Sequence, residues 1–247
     1  LGVACVAETA DVAALAEAEG LGLEAAGRRA RYEFFERVRE DAGADWICTG
    51  HHLGDLAEDQ LLRLARGTGW PGLAGMPARD DARRLLRPLL LTPGDELRAF
   101  CTALGVTWRE DASNADTAFA RNRIRHEVLP LLVRENPGYQ DAAARLWRQG
   151  RGDEAHFQAQ LDAVEVKRVH GGFEVEREAV AALPPALRLR LVKRLLDELG
   201  PGQALADGLH ALDEALSRAG AEGVFQFPGD KRAKIQSNCI LILKRKA

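Results

Sequence analysis

The sequence predicts an α/β domain with a largely parallel sheet, followed by a smaller α+β domain. Apolar strand-like runs alternate with amphipathic helix-like segments in the first half, as in βαβ units. Short strand-like segments separated by turn residues crowd the C-terminal end, which indicates a β-meander. With 247 residues and 46% apolar content, the chain is long enough for one large or two modest domains. We place the boundary near residue 150, giving domains 1–150 and 151–247.

The first domain is predicted from apolar periodicity and from helix start and stop signals. Its predicted elements are a strand buried on both faces at 1–7, helices at 11–19 and 23–41, a buried strand at 46–48, a helix at 55–66, an extended segment at 84–91, a helix at 93–104 with Thr92 as N-cap, a short strand at 106–108, and a helix after residue 126 that buries Val128, Leu129, Leu131 and Leu132. Residues 109–122 are polar and predict a loop.

The second domain is predicted to mix helices with the terminal meander. A polar helix from 139 to about 166 leads to it, and its own predicted elements are a strand at 173–175, helices at 178–183, 185–199 and 205–219, and strands at 225–227, 233–236 and 239–243.

Composition excludes several classes of protein. No apolar run approaches 18 residues and no charged-then-apolar leader is present, so we expect neither a membrane span nor a membrane partner. The 4 cysteines lack C-x-x-C spacing and are interpreted as small core residues in a reducing cytosol. The net charge of −3 gives no overall nucleic-acid signal. The C-terminal end is nevertheless basic, which suits phosphate binding as well as it suits a solvated tail. The candidate phosphate-binding residues are Lys231, Arg232, Lys234, Lys244 and Arg245.

The strand-to-helix turn after residue 48 carries the strongest functional signal. It holds His51, His52, Asp55, Glu58 and Asp59, and ligands of open α/β sheets bind at the carboxyl ends of strands. Asp55 and Glu58 are three residues apart, so a helix presents both on one side. Helix capping would explain either carboxylate alone, but the combination favours a functional site. Adjacent histidines point apart in an extended segment, which argues against a two-histidine zinc site.

A second signal lies in the RNRIRH segment at 121–126. Its three alternating arginines fit either a solvated helix start or a grip on an anion, because the planar guanidinium suits phosphate and carboxylate. Since an acidic turn lies in the same predicted domain, we favour the grip.

Several segments together resemble the bacterial tRNA(Ile)-lysidine synthetase family. They are Arg28 with RYEFF at 31–35, TGHHLGDLAEDQLLRLARGTG, LLRPLL and WREDASNADTAFARNRIRHEVLPLL. The match runs in order over about 21–132 and is looser beyond. The resemblance implies an N-type ATP pyrophosphatase fold that uses ATP and Mg²⁺. It also implies adenylation of the wobble cytidine of a CAU-anticodon tRNA(Ile), followed by attack of free L-lysine to give lysidine, so that the tRNA reads AUA as isoleucine.

The resemblance also implies roles for individual residues. It assigns His51, Asp55, Arg31 and Arg123 to catalysis, with Asp55 a candidate ligand of Mg²⁺. It assigns substrate or Mg²⁺ binding to Glu58, Arg28, Arg121 and Asn122, and tRNA binding to the basic C-terminal residues named above. A cytoplasmic location and a capacity to form a homodimer complete these expectations.

Three departures from the family pattern bear on these expectations. The family's phosphate-binding SGGxDS loop would precede Leu1, and the sole methionine is Met76, so we expect the chain as it stands to bind ATP poorly and to be inactive. Gly54 and Asp59 replace an aspartate and a threonine of the family's HHxDDxxET motif. The C-terminal part is also short. Two alternatives stay open, a tRNA cytidine thiolase, against which the isolated cysteines argue, and a non-catalytic tRNA- or protein-binding chain.

Overall fold

A computed structural model describes residues 2–109, 116–202, 204–218 and 220–244. The chain divides into two compact units, Leu1–Gly152 and Asp153–Ala247. Arg245 and residues 110–115 of the predicted polar loop lie outside the described ranges. Within those ranges no helix is both long and apolar enough to cross a membrane.

The first unit combines helices with a small mixed sheet. Its elements are α1 (Val12–Glu19), α2 (Leu23–Asp41), β1 (Ile47–Cys48), α3 (Leu53–Ala65), β2 (Arg79–Asp80), β3 (Leu85–Leu86), α4 (Gly94–Ala103), α5 (Ala120–Arg123), α6 (Leu129–Glu135) and α7 (Tyr139–Asp162), which continues past the point of division. The first two helices confirm the predicted segments, and Asp11 and Gly20 cap α1. The predicted α/β class is confirmed.

The sheet places the β1–α3 turn at the carboxyl end of a parallel strand pair. β1 pairs in parallel with β3, with Ile47 opposite Leu85, and β2 pairs with β3 in antiparallel fashion. The Thr49 N–H donates to the Leu86 carbonyl at 2.9 Å and extends the pairing by one residue. Leu56 of α3 is fully buried in a core that includes Leu53, Met76 and Leu90. The carboxyl edge predicted to hold the site is therefore present.

The predicted strand at 1–7 is wrong. Residues 2–10 lie outside helix and strand, and Val3 and Val6 are 80% and 61% exposed. A strand buried on both faces needs neighbours that satisfy its backbone groups, and none of the described strands pairs with this segment.

Two further predictions in this unit need correction. Helix α4 begins one residue later than expected, with Pro93 as N-cap, and the strand predicted at 106–108 does not form. The apolar strip after residue 126 is not buried, since Val128 and Leu131 are 37% and 52% exposed. A π-helical turn at Ile124–Val128 precedes α6. Such a turn adds a residue and rotates the following side chains, so a strip read from regular α-helical spacing loses its common face.

The second unit packs helices on one face of an antiparallel sheet. Its elements are β4 (Val166–Val169), β5 (Gly172–Glu176), α8 (Arg177–Ala181), α9 (Pro185–Glu198), α10 (Ala206–Leu216), β6 (Gly223–Phe227), β7 (Lys231–Ile235) and β8 (Cys239–Lys244). The strand order is β4-β5-β8-β7-β6. Strand β4 was missed, because the preceding helix was predicted to run to about residue 166 and residues 167–169 were assigned to no element. The core lies between Phe173, Ile240 and Ile242 of the sheet and Leu191 and Leu212 of the helices.

Lys231 of β7, one of the predicted phosphate-binding residues, is buried and not available on the surface. The side chains of β7 alternate between buried and exposed, and Lys231 falls on the buried side with 0% exposure. Its ammonium donates to the carbonyls of Leu196 at 3.0 Å and Gly200 at 3.1 Å and to that of Gly202. Lys231 thus caps the C-terminal end of α9 rather than contributing to a basic surface, a role that a count of charges along the sequence does not reveal.

Candidate functional site

The turn after β1 forms a capping box at the start of α3. His52 is the N-cap, and its Nδ1 accepts a hydrogen bond from the Gly54 N–H at 3.0 Å. The His52 N–H donates to Asp55 Oδ2 at 2.9 Å. Each of these bonds satisfies a backbone donor that a helix start would leave unpaired. Asp55 therefore does cap the helix, with one of its two oxygens.

The other carboxylate oxygens of the helix face two arginines. Arg121 donates through Nη2 to Asp55 Oδ1 and through Nε to Glu58 Oε2, both at 2.8 Å. Arg125 donates through Nε to Glu58 Oε1 at 2.6 Å, and its Nη2 lies 3.0 Å from Glu58 Oε2 and 3.4 Å from Asp55 Oδ1. We call Asp55, Glu58, Arg121 and Arg125 the carboxylate–arginine cluster.

The cluster is balanced in charge and partly removed from water. The Glu58 side chain is 3% exposed and that of Asp55 14%, whereas both arginine side chains are 29% exposed. The hydrogen bond that Arg125 donates to Glu58 raises the pKa of Arg125 above its ordinary value. A buried carboxylate is tolerated because fixed guanidinium groups pair with it. Both arginine side chains are thus partly accessible to solvent.

Two of the three arginines of the predicted anion grip belong to the carboxylate–arginine cluster. Arg121 is predicted to bind substrate, and in the structure it pairs with the two carboxylates predicted to bind lysine or Mg²⁺, so its role towards substrate stays a prediction. Arg125 is one of the three arginines of the predicted grip but was not named as an individual site residue. The spacing of four residues from Arg121, which places both on one side of a helical segment, was the available signal.

The structure places the other predicted site residues outside the cluster. Arg123 is exposed, and its Nη1 donates to the carbonyls of Thr117 and Ala118, both at 2.8 Å. Asn122 is buried and donates to the Asp116 carbonyl at 2.8 Å. Arg31 is exposed on α2, and the Arg28 guanidinium lies 4.9 Å from the centre of the Tyr32 ring. Arg123 and Asn122 thus hold the end of the preceding loop.

The imidazole of His51 contacts Thr49, the residue that follows β1. Its Nδ1 is 2.7 Å from Thr49 Oγ1. Burial lowers the pKa of His51 below its ordinary value, the positive charges of Arg87, Arg121 and Arg28 lower it further, and Asp55 partly opposes them. Burial and cationic neighbours both disfavour the imidazolium, so His51 is neutral at pH 7 and able to accept a proton.

The carboxylates do not fit a metal ion in this arrangement. Within the described ranges no group of three or more His, Cys, Asp or Glu side chains is placed to hold one. Both oxygens of Asp55 already accept hydrogen bonds, from His52 and from the arginines. A metal at Asp55 would have to displace a guanidinium, so its role as a Mg²⁺ ligand stays a prediction.

Two glycines make room for the His52 ring. A Cβ at Gly54 would lie 2.8 Å from His52 Cε1, and one at Gly94 would lie 3.1 Å from the same atom. The departure from the family motif at Gly54 thus has a steric reason, because the ring of His52 fills the space that a larger residue would need.

We expect Gly54→Ala to lower the free energy of unfolding by about 1 kcal/mol, the typical cost of losing a helix N-cap. The new Cβ would push the imidazole away from the Gly54 N–H and disturb Asp55. Gly50→Ala is the matched control, since a Cβ there meets nothing within 4 Å. The double variant His52→Asn/Gly54→Ala should be more stable than Gly54→Ala in denaturant unfolding, because asparagine caps without a ring. Equal stability of Gly54→Ala and wild type would contradict the steric argument.

A cleft of about 930 Å³ opens beside the cluster. It lies among the start of α3, α4, α6 and the start of α7, and Glu58 and Arg125 line it. We call it the α4–α6 cleft. Leu97, Leu129 and Val133 contribute apolar surface to it. The cluster therefore borders a space large enough for a nucleotide-sized ligand.

The second unit keeps part of the predicted basic surface. Arg232 and Lys234 are exposed on β7, and Lys244 is exposed at the end of β8. Lys167 on β4 is exposed in the same cross-strand row as Lys234, through Glu174 and Leu241. This residue was missed, since it is remote from the others in sequence. Arg232, Lys234 and Lys167 thus lie on the face of the sheet opposite its core, whereas Lys244 pairs with buried Lys231 on the core side and is exposed at the end of its strand.

The chain is similar to known proteins over most of its length. Residues 1–132 match the model of the PP-loop domain family. A tRNA(Ile)-lysidine synthase of Nitratidesulfovibrio vulgaris is 43% identical over 98% of this chain and 75% of its own length. Enzymes of the same name from Salinispora tropica and Bacillus subtilis are 42% and 32% identical, over 85% and 97% of this chain. The chain spans 65% and 53% of those two relatives.

Among solved structures, the chain resembles the U34-tRNA thiolase NcsA from Methanococcus maripaludis with its [4Fe-4S] cluster. The TM-score is 0.39 at 17% identity, over 49% of this chain and 41% of that one, which is too weak to bear on function. The family assignment depends on the sequence relatives. The N. vulgaris enzyme is similar over most of both chains, and the PP-loop match covers the unit that contains the carboxylate–arginine cluster. The chain therefore belongs to the tRNA(Ile)-lysidine synthase family.

Proposed function

We propose that this protein ligates lysine to the wobble cytidine of a CAU-anticodon tRNA(Ile), with ATP converted to AMP and pyrophosphate. The observation that carries the proposal is the carboxylate–arginine cluster, at the carboxyl edge of the sheet in a PP-loop domain. It combines fixed cations, buried carboxylates and a neutral histidine within one turn and one facing helix. Those are the groups that an adenylation followed by an amine attack requires.

In the first step, the cytidine O2 attacks the α-phosphorus of ATP and pyrophosphate leaves. Negative charge builds on the phosphorus oxygens, and guanidinium groups already held in place stabilise such charge without reorganising. Asp55 and Glu58 fix Arg121 and Arg125 by hydrogen bonds, so they act here by orienting the arginines. Arg31 and Arg28, exposed on α2, are further candidates for contact with the nucleotide.

In the second step, the ε-amine of lysine attacks carbon 2 of the cytidine and AMP leaves. The amine must lose a proton, and neutral His51 is our candidate acceptor. Asp55 and Glu58 are candidates to attract the incoming ammonium. Mg²⁺ would accompany ATP, because this ion is commonly held by substrate phosphates, one or two carboxylates and water.

The lowered pKa of His51 predicts the pH at which turnover falls on the acid side. If His51 accepts the proton, turnover should persist below pH 6.5, the ordinary pKa of histidine, and fall only when the pH drops through the lowered value. The measurement is turnover against pH at saturating substrates. Arg28→Gln removes a charge that lowers the pKa, so its acid limb should move upward. A wild-type acid limb centred above 6.5 would exclude His51 as the group that titrates.

We further propose that the second unit binds tRNA through Arg232, Lys234, Lys244 and Lys167. These side chains are exposed, and phosphate binding needs accessible cations. A cytoplasmic location and a homodimer follow from the family resemblance and are proposals of the same kind.

The test uses the full-length protein, ATP, Mg²⁺, labelled lysine and a CAU-anticodon tRNA(Ile). Label should enter the tRNA, with AMP and pyrophosphate released. A methionine tRNA with the same anticodon is the control and should take up no label. Pyrophosphate release without incorporation would mean that the nucleophile is not lysine. Tight tRNA binding without ATP turnover would indicate a non-catalytic binding protein.

A further inference from the structure

We propose that the α4–α6 cleft receives the base of the target cytidine and that Trp108 is the surface on which it stacks. The inference rests on the proposed function and adds to it the place where the RNA substrate binds. Its starting point is that the cleft shares Glu58 and Arg125 with the carboxylate–arginine cluster. A ligand in the cleft therefore lies beside the groups assigned to chemistry.

The chemistry of the cleft suits a pyrimidine nucleotide. Apolar side chains of α4 and α6 line part of the cleft, and charged side chains from α3, α4 and α7 line the rest. A flat base needs such apolar walls together with a few directed hydrogen-bonding groups. Arg125 can donate to the O2 of cytosine, and the carboxylate of Asp95 or Asp141 can accept from its exocyclic amino group.

Trp108 supplies the stacking surface. It lines the cleft and is 49% exposed, so much of its indole ring is uncovered by protein. Proteins that bind unpaired nucleotides commonly stack their bases on exposed aromatic side chains. Arg98 and Arg109 line the same cleft and can contact the phosphates on either side of the base. An anticodon base is already unpaired, so placing it in the cleft costs little.

Size distinguishes this occupant from free lysine. A cleft of about 930 Å³ lies near the upper end of the range for small-molecule pockets, far more than one amino acid fills. An exposed indole with flanking arginines also suits a base and its phosphates better than an aliphatic chain with an ammonium. We therefore assign the cleft to the nucleotide.

The experiment couples a change in the protein with a change in the RNA. Binding of a CAU-anticodon tRNA(Ile) is compared with binding of the same tRNA carrying an abasic position 34, for wild type and Trp108→Ala. Wild type should bind the abasic tRNA about tenfold more weakly, the loss of roughly one stacked base. In Trp108→Ala the penalty for the abasic position should fall well below that of wild type, because stacking is lost while the hydrogen bonds of the base remain, and Trp108→Phe should recover most of the penalty.

Phe100→Ala is the matched control, because this aromatic is 63% exposed on α4 and does not line the cleft. Phe100→Ala should bind the abasic tRNA more weakly than the intact tRNA by the same factor as wild type does. If Trp108→Ala retains that effect, the base does not stack there and the inference is wrong. If Trp108→Ala raises the KM for lysine and leaves tRNA binding unchanged, the cleft binds the amino acid and the inference is also wrong. Failure of wild type to form lysidine would instead refute the proposed function.

Discussion

Glu58→Gln is expected to abolish lysidine formation and to cost about 3 to 5 kcal/mol of unfolding free energy, as breaking a buried ion pair does. Glu58 is 3% exposed and accepts hydrogen bonds from both Arg121 and Arg125. Glutamine fills the same volume but carries no charge, and its amide nitrogen cannot accept from a guanidinium. Two partly buried cations would then face the single charge of Asp55. The arginines would lose the orientation that our mechanism requires of them.

The neighbouring carboxylate provides the control for Glu58. Asp59 also pairs with an arginine, through a 2.7 Å bond to Arg63, but its side chain is 22% exposed and the pair lies outside the cluster. Asp59→Asn should change stability by about 1 kcal/mol or less and leave turnover near wild type. Denaturant unfolding and lysine incorporation measure the two effects.

A double variant separates charge balance from function. Glu58→Gln/Arg125→Gln restores the balance of charge, so it should recover part of the lost stability while remaining inactive. Wild-type turnover of Glu58→Gln would remove the cluster from the proposed mechanism. Loss of activity at unchanged stability would mean that Glu58 acts on substrate alone and does not hold the arginines.

Local sequence signals predicted most of the helices and named three of the four residues of the cluster as site candidates. Helix α2 has the predicted bounds, because its apolar spacing and flanking glycines are properties of the segment itself. The spacing of Asp55 and Glu58 likewise placed both on one side of α3. Their partners could not be predicted in this way. Arg125 lies 67 residues from Glu58 in sequence, and the pairing depends on how α3 packs against the helical segment that begins at α5.

The failures share a physical cause. An apolar run at 1–7 has strand-like composition, but a strand also needs a paired neighbour, which composition does not supply. The π-helical turn at Ile124–Val128 rotates the residues that follow and exposes Leu131, although its own sequence carries no proline or glycine to mark it. His52 was set aside with the zinc hypothesis, yet its ring explains why position 54 is a glycine. Each outcome depends on three-dimensional contacts that composition and spacing along the sequence do not specify.

Lys231, the buried basic residue of β7, is expected to stabilise the protein. Lys231→Met should destabilise the protein by about 2 to 4 kcal/mol, because buried acceptors left without a donor each cost on the order of 1 to 3 kcal/mol. Lys231 is fully buried and its ammonium serves three carbonyls at the end of α9. A cation also stabilises that end of a helix through its dipole. Methionine has a similar length but donates no hydrogen bond.

Arg232→Met and Lys234→Met are the matched controls, and we expect them to change tRNA binding and not stability. Both residues are exposed on the same strand, so their loss should leave stability within about 0.5 kcal/mol of wild type. If they contact phosphates, each should weaken tRNA binding and reduce its salt dependence. Lys231→Met should leave the salt dependence of binding unchanged in the folded protein. Normal stability of Lys231→Met with weakened tRNA binding would instead make Lys231 a phosphate contact. The alternation along β7 therefore predicts stabilisation by its buried cation and RNA binding by its exposed cations.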